Sequence, residues 1–360
     1  MNVDVTVIGA GPSGLIASRC LIDNGYRVNI IEEHKTVGKP VACSGLIGSD
    51  FFSHFRKFDV KDSIKNRIDG AIVYLGNDSF ELGRKGVSFV VDREAFDQCL
   101  SRGLDISLSE KFLSFERKED SIITKTSKRK ITSDILIGAD GPLSKIRAQD
   151  FDFNLRYFKG YQVRVKADLS LENFVEVHIQ RPFFNWIIPE GDGIFRIGTV
   201  SDSSESLYRF LKKKKIKEKP IEVQAGIIPV GKGEIYKDKV FLLGDAACHV
   251  KPLSGGGVYY GALASECLVE SIVLGNYTEY QKKCNELIGK EISRGLLFRK
   301  IYENLSDDEI RAIFDFIKSK KHILDKSGSF DEHYKTIISL TKDPKIIRLL
   351  PFIIKSFFRS

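Results

Sequence analysis

The chain has no apolar run of roughly 18 residues or more, so no stretch of it reads as a helix that crosses a bilayer. Its first residues lead straight into a strand-like run, without the blocks of a secretory leader, and the expected setting is the cytoplasm. The six cysteines, at 20, 43, 99, 248, 267 and 284, include no CxxC pair and keep no regular spacing. Zinc sites and disulfide frameworks both need such spacing, so no metal and no disulfide scaffold is expected, and a reducing compartment fits. Cys20, Cys99 and Cys267 fall in helical patterns, as core thiols do. Internal repeats, low-complexity tracts and nucleic-acid motifs are missing too. The net charge of +8 comes from a solvated run (Lys212 to Lys215, Lys217, Lys219) and a scatter near the end. An anionic membrane surface or a phosphorylated lipid is therefore the expected partner, and nucleic acid is not.

Two segments more than 200 residues apart carry the chemistry. The first, Gly9-Ala10-Gly11-Pro12-Ser13-Gly14, follows the apolar run Val3 to Ile8 and precedes helical spacing from Leu15 to Ile22. Gly9 permits a tight turn, Gly11 lets backbone approach a diphosphate, and Gly14 lets helix pack on strand. The N–H groups that open such a helix face the phosphate charge. A second strand, Tyr26 to Ile31, ends at Glu32 and Glu33, where an acid takes the adenosine ribose hydroxyls. This segment alone does not choose between NAD and FAD. The second segment, Gly244-Asp245-Ala246-Ala247, follows Val240 to Leu243. A carboxylate at that strand end accepts bonds from ribityl hydroxyls, which NAD lacks. Next come Lys251-Pro252-Leu253-Ser254-Gly255-Gly256-Gly257 and an apolar helix through about Leu274. The glycines admit a flat isoalloxazine ring, and the helix start favours its anionic reduced form. The plain alternative is a solvent loop with Asp245 as a helix cap. Both segments together point to FAD and to electron or hydride transfer.

These residues resemble the geranylgeranyl reductase family, flavoproteins of the para-hydroxybenzoate hydroxylase-like fold, over roughly residues 1 to 300. Gly244 through Gly257 looks like the family's flavin signature. Ala42-Cys43-Ser44-Gly45 resembles its cysteine loop beside the flavin, and Asp92-Arg93-Glu94-Ala95-Phe96-Asp97 its arginine segment. Phe184-Asn185-Trp186-Ile187-Ile188-Pro189, followed by Gly198, is similar to its substrate-wall motif. Asp140-Gly141-Pro142-Leu143-Ser144-Lys145-Ile146-Arg147 resembles the DG motif shared with flavin hydroxylases. The chain departs from the pattern in having Val200 where a second glycine is usual, and Phe184 where tyrosine is common. The resemblance implies an α/β protein. A Rossmann-like, glutathione reductase-like FAD lobe (1–66, 93–152, 228–275) would carry an inserted antiparallel-sheet substrate lobe (67–92, 153–227) and a helical region (276–360).

An apolar wall of Phe183, Phe184, Trp186, Ile187 and Ile188 would suit a prenyl chain. Strand alternation puts Phe184, Trp186 and Ile188 on one face, although ordinary core packing gives the same pattern. Four residues are catalytic candidates: Trp186 and Phe184 as cation-stabilising faces, Cys43 as proton relay, and His249 as acid or phosphate contact. The alternatives are an inert thiol for Cys43 and a satisfied buried imidazole for His249. Arg93 and Asp140 are expected at FAD, or as an exposed cation and a structural turn. No second strand–GxGxxG–helix unit appears, so NADPH, ferredoxin or a quinol would supply electrons transiently. The expected reaction is saturation of geranylgeranyl-type double bonds on a membrane lipid or prenylquinone. A flavin-dependent aromatic hydroxylase and a non-catalytic prenyl carrier are the alternatives.

The tail from Lys345 to Arg359 is basic and apolar and lacks acids, as helices lying in a headgroup layer do. Liposome flotation is expected to need anionic lipid and to fall with salt. If removing residues 345–360 leaves flotation unchanged, the tail has no part in it.

Overall fold

The protein is described as a computed structural model covering residues 2–341, 343, 351 and 352. The tail from Lys345 onward otherwise lies outside the described residues. The run after Asn2 is apolar without alternation, the signature of a strand covered on both faces. Strand Asn2–Ile8 accordingly has Val5, Thr6 and Val7 fully buried. It is the middle of a parallel sheet ordered Val240–Leu242, Lys130–Gly138, Asn2–Ile8, Val28–Ile31, Ile106–Ser107. Tyr236–Lys237 adds an antiparallel edge, and the hairpin Phe112–Arg117/Ile122–Thr126 joins Lys130–Gly138. Helices Pro12–Asp23 and Val258–Val273 pack on each other beside this sheet, where Ser265 Oγ donates to the Ser13 carbonyl at 3.0 Å. Leu15, Ile16 and Leu21 are fully buried in that packing, each contributing roughly 1.5–3 kcal/mol of transfer free energy.

The register of the sheet brings the two glycine segments together. Ile8 and Leu242 both pair with Gly138, on opposite sides of the same strand. The turns after them therefore emerge at one end of the sheet, two strand spacings (about 10 Å) apart.

A second sheet runs Glu222–Gly233, Phe153–Lys166, Ile194–Val200, Phe184–Gly191, Phe174–Ile179, Ile64–Leu75, Asp78–Val91, Leu46–Gly48. All its pairs are antiparallel except Phe174–Ile179 with Ile64–Leu75. The lobe edges expected at 66/67 and 227/228 fall inside strands of this sheet, and Leu46–Gly48 joins it from the first stretch of chain. Ile64–Leu75 and Asp78–Val91 are long strands, of 12 and 14 residues. Gly70 is a tight packing point at a register shift, where a Cβ would lie 2.4 Å from the Phe174 ring.

Helix Asp307–Ser319 opens with a capping box: Ser306 N–H donates to Glu309 Oε2 at 2.7 Å, and Glu309 N–H to Ser306 Oγ at 3.3 Å. Further on, the stretch Leu324 to Ile337 contributes residues to the central cavity, which the sequence pattern did not foretell. Ser306→Ala is expected to destabilise the fold by about 1 kcal/mol, with Ser306→Asp close to wild type, as read by denaturant midpoints.

Candidate functional site

The first glycine turn is shaped by what its side chains would hit. A Cβ on Gly9 would lie 2.2 Å from the Ala139 carbonyl, and one on Gly14 would lie 2.2 Å from the Gly9 carbonyl. Gly11 is different: nothing lies within 4 Å of its missing Cβ, and it borders the cavity with Pro12, Ser13 and Gly14. Its neighbouring helix Pro12–Asp23 has no side-chain cap, so free N–H groups open toward that space. Ala10 N–H donates to Glu32 Oε2 at 2.8 Å, and His34 N–H to Glu32 Oε1 at 2.9 Å. The Glu32 carboxylate is thereby held beside the turn. Glu33 is not part of this arrangement. It faces solvent and pairs with Lys111 at 3.3 Å, because successive residues leaving a strand point opposite ways.

At the other segment, Asp245 faces the cavity beside Gly255, Gly256 and Gly257. A Cβ on Gly257 would come within 3.1 Å of Asp245 Oδ1. Helix Val258–Val273 also starts without a side-chain cap. Burial pushes the Asp245 carboxyl up to about 6, against the pull of the Arg93 and Arg147 charges. Arg147 is buried and braces this turn by donating to the carbonyls of Ala246 at 2.8 Å and Asp245 at 3.3 Å, and to the Tyr157 hydroxyl at 2.8 Å. The DG segment thus carries the brace. Asp140 accepts from Lys145 N–H at 2.8 Å, its Oδ1 is buried without a partner, and burial raises its carboxyl. One oxygen shapes the turn; Asp140 itself does not line the cavity, which its neighbours Ala139 and Gly141 do.

Cys43 and Arg93 both line the cavity, and the sulfur favours the guanidinium charge. Arg93 is fixed from behind by Asp97 at 2.9 Å and lies 5.8 Å from the Phe96 ring centre. Its charge is held firmly, since Asp97 and Cys43 favour it over the cost of burial. Arg196 was not singled out in the sequence. It is buried, pairs with Glu190 at 2.8 Å, and donates to the Ser44 carbonyl at 2.7 Å and the Val91 carbonyl at 2.9 Å. It pins the cysteine loop, and Gly45 must be glycine there: its φ is +72° and a Cβ would overlap the guanidinium. A charged residue inside the apolar strand Ile194–Val200 was the signal that could have found it.

Phe184, Trp186 and Ile188 do share one strand face, and all three line the cavity; Phe183 and Ile187 do not. Ile187 instead packs with Leu207 and Phe210 of helix Glu205–Lys213 on the far side of the sheet. Phe183 sits under Arg299, whose guanidinium is 3.5 Å from its ring centre. A Cβ on Gly198 would lie 2.1 Å from the Trp186 ring, so that glycine makes room for the indole. Trp186 Nε1 donates to Gln162 Oε1 at 2.8 Å, and Gln162 Nε2 to Gln224 Oε1 at 2.6 Å. Both glutamines were missed; each stands out only as a polar residue in a buried strand. Val200, buried against Phe158 and Phe183, narrows the cavity where the family pattern has glycine.

His249 does not line the cavity. It is buried, its Nδ1 has no partner, and burial pulls its imidazole down to about 3. A neutral, enclosed ring is neither an acid at neutral pH nor a phosphate contact, which corrects that expectation. Among the described residues no His/Cys/Asp/Glu cluster could hold a metal. The cavity, of about 780 Å³, runs unbroken from Gly11 through Cys43, Arg93 and Asp245 to Trp186. An open glycine turn, two uncapped helix starts and a poised carboxylate fit FAD. Bound there, its diphosphate would face Gly11 to Gly14, its ribose Glu32, and its ribityl–flavin half Asp245 and Gly255 to Gly257.

Because Asp245 titrates higher in the fold than in the unfolded chain, the ligand-free fold loses stability as pH rises from about 4 to about 6. Asp245→Asn is therefore expected to raise the ligand-free melting temperature at pH 7.5, the gain shrinking toward pH 5. The same variant should weaken FAD at least about tenfold by flavin-fluorescence titration. Wild-type affinity should fall below about pH 6. An unchanged affinity in the variant would remove Asp245 from the site.

Comparison with known proteins agrees with this geometry. Residues 2–65 match the model of the FAD binding domain family. An uncharacterised protein of Methanocaldococcus jannaschii is 30% identical, with 95% of each chain covered. A digeranylgeranylglycerophospholipid reductase of Methanothrix thermoacetophila is 27% identical over 89% of this chain and 92% of its own. Among solved structures, a geranylgeranyl bacteriochlorophyll reductase-like protein of Thermoplasma acidophilum superposes with a TM-score of 0.81 at 18% identity, covering 98% and 99% of the two chains. The p-nitrophenol 4-monooxygenase of Pseudomonas putida does so at 0.72 and 18%, covering 95% and 98%. That likeness places both in one fold. With the flavin signature, the cavity and these relatives in agreement, the chain belongs to the geranylgeranyl reductase family of FAD-dependent oxidoreductases.

Proposed function

We propose that this oxidoreductase saturates the double bonds of geranylgeranyl-type chains carried by a membrane lipid or prenylquinone. The carrying observation is that the FAD site and the apolar face of Phe184, Trp186 and Ile188 belong to one cavity. When bound and reduced, FAD supplies hydride at its N5. The chain supplies the rest. Phe184, Trp186 and Ile188 seat a hydrocarbon and exclude water. An isolated alkene accepts hydride poorly, so a proton must arrive as the new C–H bond forms, and the Trp186 face stabilises the cationic character that develops. Cys43, which accepts from Gly45 N–H at 3.4 Å and lines the cavity with Arg93, is the sulfhydryl that would pass that proton from solvent. Asp245 and the start of helix Val258–Val273 orient the cofactor.

An aromatic hydroxylase shares the fold, but an unbroken apolar strand face suits a hydrocarbon better than a polar aromatic acid. A passive carrier would have no need of glycines at 11 and 255–257. Electrons come from NADPH, ferredoxin or a quinol. The working place is the cytoplasmic membrane face, with the basic tail as the expected contact.

The test is anaerobic incubation of dithionite-reduced, FAD-loaded protein with geranylgeranyl lipids, followed by mass spectrometry. Mass gains in steps of two hydrogens are expected. Product formed only with oxygen, or no mass change with fully reduced flavin present, would overturn the reading.

A further inference from the structure

The cavity also reaches two cations that the reading above does not use. Lys251 follows the flavin-side strand, and its ammonium is almost fully buried, with 6% of the side chain exposed. Arg84 stands at the exposed rim on strand Asp78–Val91. Both line the cavity, and both are satisfied by one four-residue stretch of the carboxyl-terminal region, Gly328–Asp331. Lys251 Nζ donates to Asp331 Oδ1 at 2.7 Å and to the Phe330 carbonyl at 3.1 Å; Arg84 Nη1 donates to the Gly328 carbonyl at 3.0 Å. Three oxygens of one short segment therefore meet two cations, the donor set that a phosphate group takes. The second Asp331 oxygen is buried without a partner, and His333 beside it is half-buried. A buried ion pair is a poor clasp, because desolvating both charges offsets most of their attraction and apolar residues of the same size would hold the segment as well. An anion-reading site explains why the charges are there.

We propose that Lys251 and Arg84 form the headgroup end of the substrate cavity and bind a phosphate ester. In the ligand-free chain, Gly328–Asp331 occupies their place, Asp331 Oδ1 standing in for a phosphate oxygen. This deepens the prenyl reading and rests on it: the apolar wall takes the chain, and the two cations take the phosphate, whether on a lipid headgroup or a free prenyl diphosphate. Binding must then displace Asp331 from Lys251.

The test uses full-length, FAD-loaded protein and three probes: geranylgeraniol, geranylgeranyl diphosphate and a digeranylgeranyl glycerol phosphate, titrated by quenching of tryptophan fluorescence. At least one phosphate should bind about tenfold or more tighter than the alcohol, and the tighter of the two names the source. Lys251→Met should bring phosphate and alcohol to within about twofold of each other. Asp331→Asn, which leaves the lysine without its competitor, should tighten the phosphate several-fold and leave the alcohol unchanged. Flavin content and melting temperature report whether each variant is folded. Equal binding of alcohol and phosphates by wild type, or an unchanged preference in both folded variants, would overturn the headgroup site while leaving the prenyl reading intact. Failure of all three probes to bind would overturn both.

Discussion

Everything at this site depends on the ladder that strand Lys130–Gly138 makes with its two neighbours. Gly138 is in register with Ile8 on one side and Leu242 on the other. Three strands thus end together, and each continues into a glycine of positive φ: Gly9 at +105°, Gly141 at +77° and Gly244 at +64°. A slip of one residue in either ladder would invert the side chains and separate the turns along the sheet axis. The turns are held against such a slip by contacts with no slack, among them Gly9 on the Ala139 carbonyl, Gly14 on the Gly9 carbonyl, and Gly261 against Ser13 Oγ. Arg147 adds the final tie, from the helix after the DG turn to the carbonyls around Asp245.

The sequence was most legible where a motif has a backbone reason. The glycine turn, Glu32, Asp245, the apolar helix after Gly257 and the capping box at Ser306 all follow from local rules, and they stand where those rules put them. The face shared by Phe184, Trp186 and Ile188 was equally readable, since strand alternation is local. Long-range partners were not. Nothing near Arg196 announces that it holds Ser44 from 152 residues away. Nothing around Lys251 names Asp331. His249 read as an acid or phosphate contact because it follows a functional motif, yet it is buried and does not line the cavity. Glu33 differs from Glu32 only in direction.

The cavity wall is a compromise between apolar surface and a few fixed polar groups. An indole N–H can only donate, so Trp186 sets the polarity of the pair beside it: Gln162 must present its oxygen to the ring, and its amide nitrogen then donates to Gln224. With Gly198 beneath the ring, the indole has one orientation, and its flat face is what the cavity sees. The enclosing glutamines satisfy each other at the sheet, so a polar wall residue does not invite water to the reacting carbon.

The discontinuous construction of the nucleotide site also has a consequence for how the molecule is made. Val240–Leu242 closes on a strand laid down about a hundred residues earlier, and Asp245 and the helix after Gly257 come later still. A nascent chain that has just exposed its first βαβ unit can hold at most the adenosine half of the coenzyme. Flavin capture must await the segment from Val240 to the helix after Gly257, and the prosthetic group then acts as a thermodynamic lock between early and late portions of the polypeptide.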